Sequence, residues 1–189
     1  MAKAQPVAGL HPHASLARNA RAIVAVRVAE MFDFAHAIGD RAEDEDLHNM
    51  RIAAKRLRYT LEMFRPALTG DGPSLIDAVK ELQERIGTIH DADVLDAIVR
   101  QRLAVLAQRR VGALTHITGD EAERVVAARS VAAAPDEATL GLAVLMARTR
   151  AGRDKEFDSL TAWWAARGGQ PLRERLDACV ARLAPPPAH

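Results

Sequence analysis

Cysteine is almost absent: Cys179 stands alone in 189 residues. Neither a disulfide framework nor a thiolate metal site can be built within one chain, and a reducing compartment is expected. Aromatic residues make up only 4%, too few to supply the stacking platforms of a single-strand nucleic-acid binder. A global charge excess is missing as well. The 26 basic and 25 acidic residues leave +1, which excludes a histone-like chain but not a local patch. No stretch approaches ~18 uninterrupted apolar residues, and Met1–His13 has no apolar run behind basic residues. The expectation is a cytoplasmic protein with no secretory signal and no membrane partner. No convincing period-2 run is present, so strands are not expected.

Against these absences stand an apolar fraction of 49%, 38 alanines, and 22 arginines beside only four lysines, Lys3, Lys55, Lys80 and Lys155. Alanine, leucine and arginine favour helix. At about 150 residues per domain the length predicts one compact domain, able to remove roughly 70% of its unfolded surface from water. Residues 1–13, with Pro6, Gly9 and Pro12, form an irregular lead-in. A first helix spans about 14–38 and ends at Gly39-Asp40. A second spans about 46–64 behind the acidic run Glu43–Asp46, whose charge suits a helix N-terminus. A third runs from the cap Ser74 to about Arg110, interrupted at Gly87. Short helical pieces fill 111–140, notably 121–134, and a further long helix reaches Ala166. Pro171 starts a last short helix before the Pro185–Pro187 tail. The predicted fold is all-α: an antiparallel four-helix bundle of long helices with short extra helices. The expected divisions are 1–13, 14–166 and 167–189.

The second helix carries the sharpest signal. With His48 at 0°, Arg51, Lys55 and Arg58 fall at roughly 300°, 340° and 280°, within an arc of about 80°. Met50, Ala53, Ala54, Leu57, Leu61 and Phe64 fall opposite, between roughly 140° and 240°. One face is core; the other is a stripe of four donors with no carboxylate between residues 47 and 61. Arg56 sits off the stripe and Tyr59 flanks it. A basic helix is ordinarily just a solvated face. Solvated faces, however, intersperse signs to gain i,i+4 pairs of ~0.2–0.5 kcal/mol, whereas here like charges stack, an arrangement that suits an anionic ligand. On the third helix, Lys80, Gly87 and Asp91 lie near one line with His90 adjacent. Gly87 reads as a point of close helix approach. Asp91 or Asp93 reads equally well as the partner of a neighbouring arginine.

Two segments, His48-x-x-Arg51-x-x-x-Lys55-Arg56-Leu57-Arg58-Tyr59 and Leu82-Gln83-x-x-Ile86-Gly87-x-x-His90-Asp91-Ala92-Asp93-Val94, resemble the CHAD domain, a helical family named for its histidines. The resemblance spans roughly 14–166. It implies an all-α fold whose basic surface binds inorganic polyphosphate, found alone or beside triphosphate-processing domains, in cytoplasmic and granule-associated settings. Carried over by position, His48, Arg51, Lys55, Arg56 and Arg58 match the second-helix motif, and His90 the third-helix motif. Arg18, Arg21, Lys80, Arg148 and Lys155 are added on helical facing alone. Family members usually carry the four-helix unit twice, but the His-x-x-Arg motif occurs here once. The expectation is either a half-length member that functions as one bundle or, preferred, a homodimer that rebuilds an eight-helix arrangement.

No cofactor, metal site or catalytic residue is expected. The alternatives are a phosphohydrolase or an accessory domain of triphosphate-processing enzymes, with Asp91, Asp93 and Asp96 as candidate Mg²⁺ carboxylates, and a nucleic-acid-binding helical module. The modest pI of about 8.0 disfavours the last. A cation held by His48 and His90 is disfavoured by the surrounding Arg and Lys.

Overall fold

The computed structural model describes residues 3–41, 44–133 and 137–183. Among them there is no strand. Six α-helices follow in order: α1 (Leu16–Phe32), α2 (Asp44–Met63), α3 (Gly72–Thr115), α4 (Glu121–Ala133), α5 (Glu137–Trp163) and α6 (Gln170–Arg182). The protein is an all-α helical bundle. Glu43 of the acidic run and the Pro185–Pro187 tail lie outside the described residues.

Helix ends follow local chemistry. Ser15 caps α1, its side chain accepting from the Arg18 backbone N–H at 3.2 Å. α1 stops short of its expected end because Phe34 leaves helical geometry (φ −99°, ψ 10°); the 3₁₀ turn Ala35–Gly39 then tucks Ala37 and Ile38 into the core. Asp44, Glu45 and Asp46 occupy the first turn of α2, where carboxylates complement the helix dipole. Asp120 and Glu123 form a reciprocal capping box at α4: the Glu123 N–H donates to Asp120 Oδ1 at 2.9 Å and the Asp120 N–H to Glu123 Oε2 at 3.1 Å. α3 passes through Gly87 without a break. The lead-in is irregular, as expected, yet anchored: the Gln5 N–H donates to buried Glu30, and Asn19 Nδ2 donates to the His11 carbonyl at 3.0 Å.

The chain divides into two compact units, residues 1–90 with 155–189 and residues 91–154. In the first, Val24, Val28 and Met31 of α1 meet Met50, Leu57 and Leu61 of α2, Leu75, Leu82 and Ile86 of α3, and Phe157 and Leu160 of α5. The whole apolar face expected for α2 is buried, Phe64 just beyond its end included. Residues 167–183 do not stand apart: Leu172, Leu176, Cys179 and Leu183 lie in this same core, and α6 packs on α1. The sequence reading missed this because α6 is short and mostly polar, with a single apolar line at 172, 176, 179 and 183 that only tertiary packing gives a partner. Gly168 closes the junction. A Cβ there would come within 2.1 Å of the Trp163 ring.

In the second unit, polar bonds link helices. Asp96 is paired with Arg150 of α5 at 2.7 Å and Arg100 at 2.8 Å, and Asp93 with Arg153 at 2.6 Å. Arg110 donates to the Val131 carbonyl of α4 at 3.3 Å. The pairing of Asp93 with an arginine agrees with the ordinary reading of these acids.

Candidate functional site

The stripe on α2 forms as its spacing requires: with Met50, Ala53, Ala54, Leu57 and Leu61 buried, the opposite side must carry His48, Arg51, Lys55 and Arg58. Lys55 is exposed; the other three are half-buried. α3 supplies the second wall. The His48 and His90 rings lie 4.5 Å apart, centroid to centroid, tilted by 41°. Three residues further along α2, the Arg51 guanidinium crosses Gly87, three residues back along α3; a Cβ on Gly87 would sit 3.4 Å from Arg51 Nε and 4.0 Å from Nη2. Contacts that advance on one helix while retreating on the other mean α2 and α3 run antiparallel here. Gly87 therefore makes room for a charged side chain, where its sequence context had suggested close helix–helix approach.

The electrostatics are unusual for a protein surface. His48 Nδ1, Arg51 Nε and Arg58 Nε are buried and have no hydrogen-bond partner among the described residues. A buried polar nitrogen left unmatched costs about 1–3 kcal/mol, and three are grouped on one stripe. Glu62 is a carboxylate close to the arginines, its Oε1 3.8 Å from Arg58 Nη1. Tyr59 steadies the far end of the stripe, with Arg58 Cζ 4.7 Å and Lys55 Nζ 5.8 Å from its ring centre. Burial, followed by the neighbouring charges of His90 and Arg51, holds the His48 pKa below its ordinary value, with Glu45 opposing. His48 is thus a neutral imidazole at pH 7.

Of the other expected site residues, Arg56 is half-buried beside the stripe. Lys80 is exposed on α3 with Glu84 at 3.7 Å. Arg18 and Arg21 are exposed on α1, and Lys155 on α5; no described hydrogen bond or ring contact ties them to the α2 stripe. Arg148 is exposed in the second unit. The sequence reading passed over Gln83, whose Oε1 is buried without a partner. It stands at i−4 from Gly87 and i−7 from His90, so all three share one line of α3, and that spacing was the signal available. Cys179 is buried and its thiol pKa is pushed up by that burial, which removes it as a nucleophile. Among the described residues, no group of three or more His, Cys, Asp and Glu is arranged to hold a metal ion.

The sequence model of one protein family, the CHAD domain, matches residues 2–100. The chain belongs to the CHAD family. The match covers both segments that carry the resemblance and every residue of the α2–α3 cluster. It begins earlier and ends sooner than the 14–166 expected from the sequence. CHAD domains are associated with polyphosphate and with triphosphate-tunnel proteins. No curated protein and no solved structure matches the chain at a significant level.

Proposed function

We propose that this CHAD protein is a non-catalytic, cytoplasmic binder of inorganic polyphosphate, which lies along the α2 stripe against the His48–His90 wall. The observation that carries this reading is the set of buried nitrogens on His48, Arg51 and Arg58 that have no hydrogen-bond partner among the described residues. A linear polyanion offers oxygen acceptors at regular intervals, and successive phosphates can meet successive cations as condensed counterions are released. Arginine suits this task because its planar fork grips two phosphate oxygens and stays charged. His48, kept neutral, donates one ring N–H and gains a second donor when an anion draws a proton onto it. Arg56 and Lys80 extend the cationic surface, while Arg18, Arg21 and Lys155 are secondary contributors.

The rival hydrolase reading needs carboxylates free to hold Mg²⁺. Asp93 and Asp96 are instead engaged by Arg153 and by Arg150 with Arg100. Retention on immobilised polyphosphate tests the proposal. The wild type is retained, and the reversal Arg51→Glu/Lys55→Glu/Arg58→Glu abolishes retention with helical content unchanged. Equal retention of the two proteins sinks the proposal. Chain shortening on incubation with polyphosphate and Mg²⁺ makes it a hydrolase. RNA competing equally per phosphate makes it a general polyanion binder.

A further inference from the structure

The second unit, residues 91–154, has almost no core of its own. Of its described apolar residues only Val99 is buried; the other buried apolar side chains among the described residues belong to the first unit. Conversely, ten of the fourteen large apolar side chains exposed among the described residues lie in this unit. They include Ile98 and Val111 on α3, Val126 on α4, and Leu140 and Val144 on α5, exposed by 57%, 59%, 64%, 67% and 44%. Leu140 and Val144 stand at i and i+4, one face of α5. The helices are joined by Asp–Arg pairs and an arginine on carbonyls, polar links rather than an apolar core. A 13-residue helix such as α4 is marginal without packing.

From these observations we propose that the 91–154 unit is a self-association surface: two copies of this chain pack their exposed α3, α4 and α5 faces together as a two-fold dimer. Three observations commit the occupant to a second copy. Ten large apolar side chains stand exposed along α3, α4 and α5 of the unit, a supply of the apolar surface that a standard stable interface takes from each partner, about 800 Å². The unit contains nine arginines and nine acidic residues; it is neutral, so two identical faces meet without net repulsion, as an isologous interface requires. A lipid bilayer fits less well. The segment 121–168 does hold an 18-residue window of mean hydropathy 1.2 with none of it buried. Yet α4 is shorter than the ~20 residues needed to span the hydrocarbon core, and α5 carries eight charged residues in 27. This proposal is independent of polyphosphate binding, whose residues on α2 and at His90 lie in the other unit.

The test is the mass of the full chain in solution by light scattering across a wide concentration range. The wild type approaches twice 20.5 kDa. Ile98→Glu, Val126→Glu and Leu140→Glu, made singly, each weaken association about tenfold or more by placing a charge in the interface. Hydrogen exchange on the unmodified protein guards against misfolded variants: raising the concentration slows exchange in peptides from 91–154 and leaves those from α1 and α2 unchanged. A mass of one chain at every concentration overturns the proposal. A dimer indifferent to all three variants, or concentration-dependent protection confined to α1 and α2, moves the interface elsewhere and also overturns it. Sedimentation with phosphatidylcholine vesicles, in place of self-association, makes the surface a membrane face instead.

Discussion

Gly87→Ala separates two reasons for a glycine in the middle of a 44-residue helix. If α3 needed glycine for backbone-to-backbone approach, any Cβ would clash. The structure places a different group there: the new methyl meets Arg51 Nε at 3.4 Å and Nη2 at 4.0 Å, ordinary contact distances with no backbone atom in the way. The helical propensity gain of alanine over glycine, about 1 kcal/mol, is therefore kept. For a chain of this length that raises the melting temperature by about 2–4 °C. Arg51 Nε is already buried and without a partner among the described residues, so the methyl takes no further water from it, and polyphosphate retention stays within about twofold. Gly87→Val goes further. Its γ-methyls need the space the guanidinium occupies, so Arg51 is displaced from the stripe, and retention falls while the fold persists. Thermal melts with retention on polyphosphate read both effects. A lower melting temperature for Gly87→Ala refutes the seat, and so does undiminished retention by Gly87→Val.

Three further outcomes follow from the same geometry. Arg51→Glu/Lys55→Glu/Arg58→Glu removes three phosphate contacts, so in any residual binding the slope of log affinity against log salt becomes shallower by about 2, at ~0.7 per contact; an unchanged slope means these cations do not meet the ligand. His48 titrates lower in the folded chain than its ordinary 6.5, so the unfolded state binds the extra proton first. Its contribution is flat above that pH, and stability declines as pH falls from 6.5 towards the folded value; denaturation midpoints from pH 8 to 5 show this drop in the wild type and a smaller one in His48→Gln. An anion beside the ring reverses the shift, so polyphosphate binding tightens below about pH 6.5, and wild type and His48→Gln with identical pH profiles would make the histidine structural. Leu57→Ala, at a fully buried position between the stripe and the core, destabilises by about 2–5 kcal/mol in chemical denaturation, and a loss below 1 kcal/mol would mean the α2 face is not core.

Much of this was legible along the chain because helical periodicity is a local property. One angle of 100° per residue sorts α2 into Met50, Ala53, Ala54, Leu57 and Leu61 on one side and His48, Arg51, Lys55 and Arg58 on the other, and burial follows that sorting. Helix limits were legible only in part: the acidic residues that open α2 were read as a helix start, whereas Ser74, read as the cap of the third helix, lies inside a helix that already begins at Gly72. Gly87 was legible as a special position but not for its reason, since the atom it accommodates belongs to another helix.

By itself, then, the sequence determined the helical class, the apolar and basic faces of α2, and through them the family. Tertiary structure alone decided which polar atoms lack partners. Arg58 and Arg51 each keep a buried Nε unmatched among the described residues, whereas Arg150 and Arg153 are neutralised by Asp96 and Asp93 more than fifty residues away. It also decided that His48 faces His90 and that α6 completes the core. The physical reason is range. Periodicity acts within a few residues, while pairing, desolvation and the pKa of a buried ring depend on groups that only folding brings together.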